Sequence, residues 1–248
     1  MTFRLLTYNI WVGGQGRADR LAHVITACRP DLVLVQEATR PDVIADIART
    51  TGMAEWRAFD RQSLGYISRV PVDHASWHRP RVSHHAFVEI VPAGQAFRVF
   101  GVHLSAVHSA ITERRRVFEL RALLRSVQRH EPAFHVLAGD FNTLAPGATL
   151  DPRRLPIRLR PLLWLSGGRV RWRTIKTVLD EGYVDAFRTL HPEAHGYTMP
   201  TWDPHVRLDY VFVPSAYSDR LLACEVVKHA DAVAASDHLP VLTEFNVP

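Results

Sequence analysis

Six apolar runs in this chain end on, or open beside, side chains that can bind a cation or move a proton. Asn9 follows Leu5 to Tyr8. Gln36 and Glu37 follow Leu32 to Val35. His103 follows Val99 to Val102. Asp140 and Asn142 follow Val136 to Gly139. Asp209 opens Tyr210 to Val213, and Asp237 with His238 stands just before Pro240 to Leu242. In open α/β sheets ligands bind at strand ends, where loops line a crevice on a rigid base. One such residue is ordinary turn chemistry: Asp140 alone reads as an Asx turn and Asn142 alone as a loop residue. Six ends offering Asn, Asp, Glu or His need another cause.

Between these runs the periodicity changes. Asp19 to Cys28 is amphipathic, with Leu21, Val24, Ile25 and Cys28 on one face, and Pro30 closes it. Pro41 to Thr51 opens with proline in the first turn and stops at Gly52. Thr112 to Arg129 repeats Val117, Leu120, Leu124 and Val127 at helical steps, and Ile175 to Glu181 reads as a short helix ended by Gly182. Strands are expected over Phe3 to Ile10, Leu32 to Val35, Gly65 to Ser68, Val72 to Trp77 and His85 to Val91. Further strands are expected over Phe97 to His103, Phe134 to Ala138, Leu208 to Val213, Leu221 to Val227 and Val241 to Phe245, with a hairpin turn at Pro92 to Gly94. Hairpins mixed with strand–helix–strand units predict mixed sheets in one α/β domain spanning residues 1–248.

Composition removes several classes. The 248 residues are 47% hydrophobic and 22% charged, which excludes a disordered, collagen-like or coiled-coil chain. Cys28 and Cys224 lie far apart and form no metal-binding pair, so they read as free thiols in a reducing compartment. No run approaches the roughly 18 apolar residues of a membrane span. The first ten residues read as a strand and not a signal peptide, so a cytoplasmic location is expected. Net charge is +5, and with only Lys176 and Lys228 as lysines, 28 basic residues are arginines. Such a surface favours anionic partners, although an arginine bias of the genome produces the same count. The segment Arg153 to Arg173 carries Arg153, Arg154, Arg158, Arg160, Arg169, Arg171 and Arg173 around Trp164. It reads either as a basic flap over a polyanion or lipid head group, or as a solvated helical excursion; the second reading is preferred.

The strand-end donors are hard oxygens and imidazoles, without cysteine. That set selects Mg²⁺ or Mn²⁺ over zinc. Mg²⁺ typically takes one or two carboxylates and keeps several waters, a style that Glu37 with Asn9 would suit.

Seven stretches carry a family resemblance: Thr7 to Ile10, Leu34 to Glu37, Gly65 to Arg69 with Pro71, Val102 to Leu104, Gly139 to Asn142, Arg207 to Val211, and Ser236 to Pro240. In this order they resemble the endonuclease/exonuclease/phosphatase superfamily. The resemblance implies a four-layer αββα sandwich of two mixed β-sheets flanked by helices, the DNase I-like fold. It also implies divalent-metal-dependent hydrolysis of a phosphoester. By position it makes Asn9 and Glu37 the metal-binding pair and places Asp237 near a possible second metal. Asp140 and Asn142 become the pair that orients water and holds the scissile phosphate. His103 and His238 become the active-site histidines, with Asp209 supporting His238. Arg116 is a candidate substrate contact, with a structural role preferred, and Thr198 is a candidate for the pocket wall.

The resemblance leaves the substrate open. Trp11 to Gly14 departs from the repair-nuclease pattern, as does Ala38 with Thr39, and Thr143 to Ala145 lacks the inositol-phosphatase extension. The positive charge favours DNA or RNA over a lipid head group or a small phosphorylated molecule; a non-catalytic binding module is the remote alternative. No obligate protein partner is inferred. His84 and His85, as strand neighbours, would point to opposite faces and read as strand-edge residues, not a chelating pair. Trp56, Trp77 and Trp172 read as core or interface.

Overall fold

The computed structural model describes residues 1–79, 86–106, 110–127, 133–151, 153–154 and 171–247. In chain order these form β1 (Thr2–Asn9), α1 (Ala18–Cys28), β2 (Leu32–Gln36), α2 (Pro41–Thr51), β3 (Glu55–Arg57), β4 (Leu64–Ser68), β5 (Val72–His78), β6 (Phe87–Pro92) and β7 (Arg98–His103). There follow α3 (Ala110–Val127), β8 (His135–Asp140), α4 (Arg173–Asp180), β9 (Tyr183–Asp185), α5 (Ala186–Leu190), β10 (Asp209–Pro214), β11 (Leu221–Val226), α6 (Ala230–Ala235) and β12 (Val241–Asn246).

The strands make two six-stranded sheets, ordered β11-β12-β1-β2-β4-β3 and β5-β6-β7-β8-β10-β9. Each is mixed, with a single parallel pair at its centre: β1 with β2, and β7 with β8. Central strands must bury both faces, which is why β2 and β8 are drawn from the apolar runs Leu32 to Val35 and Val136 to Ala138.

Alternation along the strands builds the layers. Leu5, Leu32 and Leu34 of the first sheet pack between the sheets against Val99, Val136 and Val211 of the second. The intervening Leu6, Val33 and Val35 face outward onto Leu21, Val24 and Ile25 of α1, Ile44 and Ile47 of α2, and Ala232 of α6. On the far side, Phe100, Leu137 and Phe212 pack against Leu120 and Leu124 of α3 and Ile175 and Val178 of α4. A one-residue slip would exchange these faces, so burial on both sides fixes the register. The result is a four-layer sandwich of two mixed sheets between helices.

Several expectations shift. Helix α1 ends at Cys28 as expected, although the residue that caps it is the left-handed Arg29 and not Pro30. The apolar reading stops a strand at Ala138, whereas β8 continues to Asp140. Strands β3 and β9 and helices α5 and α6 had no expected counterpart. Trp56 and Trp172 are exposed and not core; Trp77 is half-buried, its indole N–H donating to Leu64 O at 3.0 Å. The readings for His84 and His85 lie outside the described residues. So do Arg158, Arg160, Trp164 and Arg169, and the last two residues of the helix expected to Arg129. Among the described residues no helix is long and apolar enough to cross a membrane. Cys28 and Cys224 are buried free thiols, pushed up by burial to about 11 and about 12.

Candidate active site

Strand register assembles the site. The parallel pairing of β7 with β8 sets His103 opposite Asp140, and the antiparallel pairing of β8 with β10 sets Asp209 opposite Asp140. Three polar side chains thus form a row across one end of the second sheet. Gly139 makes the row possible. Its φ is +141°, and a Cβ there would fall 1.9 Å from Val102 O of the adjacent strand.

Asp140 is the hub. Its Oδ1 accepts the Asn142 backbone N–H at 2.8 Å, and its Oδ2 accepts Nδ2 of Asn142 and Nδ2 of Asn9, both at 3.1 Å. Asn142 holds φ +51°, a left-handed turn that Asn tolerates better than most residues. Its Nδ2 also donates to Leu104 O at 2.9 Å. The same Asp140 Oδ2 lies 3.9 Å from His103 Nε2 and 4.0 Å from His238 Nε2. Behind the second ring, His238 Nδ1 donates to Asp209 Oδ2 at 2.8 Å. A carboxylate only accepts, so this bond fixes the proton on Nδ1 and turns Nε2 toward Asp140. Asn9, Asp140, Asp209 and His238 are each at most 4% exposed.

Burial dominates the electrostatics. It pushes the Asp140 carboxyl up, against the pull of the His238 and His103 rings. Burial also opposes charge on His238, but Asp209, aided by Asp140 and Asp237, outweighs it and holds the ring at about 10. His238 is therefore an imidazolium paired with Asp209 at neutral pH.

On the adjoining sheet, Asn9 ends β1 opposite Gln36, so Glu37 follows one residue beyond the same sheet end. Glu37 sits at φ +58° and its carboxylate accepts the Val12 N–H. Asn9 Oδ1 accepts the Trp11 N–H at 3.0 Å. Burial raises the Asp237 carboxyl against the pull of His238, and the negative Glu37 nearby adds to the rise. Asp237 Oδ1 is buried without a hydrogen-bond partner. Two carboxylates that feel one another's charge, one with an orphaned oxygen, and an amide oxygen at the end of β1 are a donor set suited to a hard divalent cation. Asp140, Asp209 and His238 also bring ligand atoms within 4.8 Å of one another and could hold a metal; Asp209 Oδ1, like Asp237 Oδ1, is buried without a hydrogen-bond partner, whereas His238 Nδ1 is engaged by Asp209 Oδ2.

Two substrate-contact candidates occupy other positions. Arg116 is 1% exposed, donating to Glu113 Oε2 at 2.8 Å and to Ser105 O at 2.8 Å. Its geometry matches the structural alternative. Thr198 is fully buried; its Oγ1 accepts Leu208 N–H at 3.2 Å and its carbonyl accepts Leu239 N–H at 2.7 Å. It clamps the segments that carry Asp209 and His238 and lines no open wall. Sequence reasoning gave Ser236 no role of its own. Its Oγ donates to Asn9 O at 2.6 Å and accepts His238 N–H at 3.1 Å, joining the two halves of the site. Its position one residue before Asp237 was the available signal.

The sequence model of the Endonuclease/Exonuclease/phosphatase family matches residues 6–238. The chain belongs to this family. Similar solved structures include the 3′ phosphatase NExo from Neisseria bound to product DNA hairpin (19% identity, TM-score 0.72, covering 98% of this chain and 99% of that one). An AP endonuclease from Archaeoglobus fulgidus is 20% identical, with TM-score 0.73 over 99% of this chain and 100% of that one. D. rerio TDP2 complexed with single strand DNA product is 18% identical, with TM-score 0.69 over 99% of each chain. At these identities the likeness establishes the fold. No curated protein matches the chain. Endonuclease/exonuclease/phosphatase family enzymes hydrolyse phosphoester bonds with divalent metals, and the buried, hydrogen-bonded constellation around Asp140 is built at the sheet ends of that fold.

Proposed function

We propose that the chain is a Mg²⁺- or Mn²⁺-dependent phosphodiesterase acting on nucleic acid, with residues 1–248 as one catalytic domain. The observation that carries this reading is the Asp140 carboxylate, oriented by three N–H groups and flanked within 4.0 Å by two imidazole nitrogens.

A diester is anionic and repels an incoming water, so catalysis needs positive charge on the phosphate oxygens and a base for the water. A metal bound by Asn9, Glu37 and Asp237 would neutralise charge on those oxygens, polarise the phosphorus centre and offset the charge left on the leaving oxygen. Asp140 takes the proton from the attacking water as the water oxygen bonds phosphorus, and the P–O bond to the leaving oxygen breaks. Its raised affinity for a proton makes it a stronger base than a solvated carboxylate. The His238 imidazolium donates through Nε2 to a non-bridging oxygen, while Asp209 balances its charge. His103 donates from the other side. Asn142 acts through Asp140, because its amide nitrogen is spent on Asp140 and Leu104.

The choice of nucleic acid rests on the +5 net charge and on neighbours whose structures hold DNA. The buried thiols fit a reducing compartment such as the cytoplasm. The test is a panel of single-stranded DNA, abasic-site duplex, RNA, phosphoinositides and small phosphomonoesters, each with Mg²⁺. Metal-dependent cleavage of a polynucleotide, with affinity falling steeply as salt rises, is expected. Turnover confined to phosphoinositides or monoesters would overturn the nuclease reading, and no turnover of any member would make the chain a binding module.

A further inference from the structure

Two large indoles stand in water on loops hydrogen-bonded to residues of this site. Trp11 is 43% exposed, its neighbour Val12 67%, and Trp202 66%. Single exposed apolar residues are common, but these two are mounted on the residues that build the centre.

Trp11 and Val12 have φ of +51° and +49°. Positive φ at a bulky and then a β-branched residue is an outlier, and such strain persists where the surroundings over-determine it. Here they do. Trp11 N–H donates to Asn9 Oδ1, Val12 N–H donates to the Glu37 carboxylate, and Gly14 N–H donates to Trp11 O at 3.1 Å. Arg17 donates to Trp11 O and, at 2.5 Å, to Ala235 O. Its guanidinium carbon lies 4.9 Å from the Trp11 ring centroid. The backbone is thus bent away from its preferred region, and the indole is held outward on a cation.

Trp202 is fixed to the same neighbourhood from another loop. Thr201, buried, donates its N–H to Asp237 O at 3.0 Å and its hydroxyl to Ser236 O at 2.8 Å. Asp203 N–H closes a tight turn on Pro200 O at 3.1 Å. Both indoles are therefore tied to Ala235, Ser236 and Asp237, the segment that leads into His238.

We propose that Trp11 and Trp202 are base-stacking contacts that seat a single strand of nucleic acid across the active site, a reading that rests on the nuclease function proposed above. Charge selects this occupant. Arg17 bonds backbone carbonyls and, among the described residues, no carboxylate, so its charge remains available to a phosphate beside the stacked base. Exposed π-faces belong to unpaired bases; a duplex presents its bases edge-on and must open before they can stack. Stacking tolerates any base, so the contact sets strand state and not sequence.

The test uses the Asp140→Asn protein, which blocks turnover, with labelled oligothymidylate, oligouridylate and a blunt duplex in Mg²⁺, read by fluorescence anisotropy. Trp11→Ala and Trp202→Ala should each weaken single-strand binding by roughly 5- to 100-fold. The slope of log Kd against log salt should stay as in the parent, because no phosphate contact is lost. Trp11→Phe and Trp202→Phe should keep most of the affinity, and duplex binding should change least. Equal loss on DNA and RNA arms means stacking alone; loss on one arm assigns the strand chemistry. Unchanged single-strand affinity in both alanine variants, or phenylalanine variants as weak as alanine, would overturn the inference while parent binding and wild-type cleavage keep the nuclease reading intact. Failure of the parent to bind any nucleic acid would overturn that reading itself.

Discussion

Arg116→Met separates scaffold from substrate contact at the most buried arginine among the described residues. Its guanidinium meets Glu113 Oε2 and Ser105 O, both at 2.8 Å. Glu113 also accepts Thr174 N–H at 2.7 Å, the Thr174 hydroxyl at 3.0 Å and the Thr143 hydroxyl at 3.2 Å. One ion pair therefore joins α3, the start of α4, the loop after His103 and the loop after Asn142. Methionine keeps much of the volume and removes the charge, leaving Glu113, 3% exposed, as a buried carboxylate. Deleting one partner of a buried pair costs about 3–5 kcal/mol. Three remaining neutral donors hold this case near about 3 kcal/mol. At about 2–4 °C per kcal/mol for a chain of this size, the unfolding midpoint should drop by about 6–12 °C. Adding Glu113→Gln removes the lone charge and should recover part of that loss. Thermal and urea unfolding by circular dichroism, with kcat/KM on a small diester in parallel, gives both readings. A midpoint within about 2 °C of wild type together with a tenfold fall in kcat/KM would refute the scaffold argument and make Arg116 a substrate contact.

Other perturbations probe the site directly. His238→Ala should lower kcat by about two to four orders of magnitude in steady-state kinetics, and should also lower the unfolding midpoint, because it leaves Asp209 a buried carboxylate without its partner; near-normal turnover would remove His238 from the chemistry. Gly139→Ala should destabilise by more than about 2 kcal/mol, because its Cβ meets Val102 O and its φ is unsuited to alanine; an unchanged urea midpoint would contradict the strand geometry. Glu37→Gln should raise the Mg²⁺ concentration for half-maximal activity at least about tenfold; an unchanged metal titration would move the metal away from Glu37.

Local punctuation in the chain carries much of the architecture. Proline in the first turn and a left-handed Gly52 delimit α2 at the residues that the sequence indicates. The apolar runs mark the central strands because both of their faces are buried. Elements without such marks stay hidden: β3 offers three exposed residues, Glu55 to Arg57, and α6 is too short for a helical period to show. Asp140 looks like a loop residue because glycine and aspartate disfavour strands, yet pairing on both sides keeps it in β8. Strand ends are local and legible, so the candidate residues around Asp140 could be named. Which of them touch depends on register between distant segments, and that emerges only when the sheets form. Arg116 and Thr198 show the same limit: a polar residue in a suggestive position does not reveal whether it faces solvent or the interior.

The central claim is that Asp140, His238 and the Asn9–Glu37–Asp237 oxygens act together on a phosphoester. Hydrolysis of bis-p-nitrophenyl phosphate by wild type and Asp140→Asn, each with chelator and then with excess Mg²⁺ or Mn²⁺, tests it most directly. The account predicts nitrophenolate release that stops with chelator, returns with metal, and falls at least about a hundredfold in Asp140→Asn. Equal rates in the two proteins, or release indifferent to chelator, would contradict it.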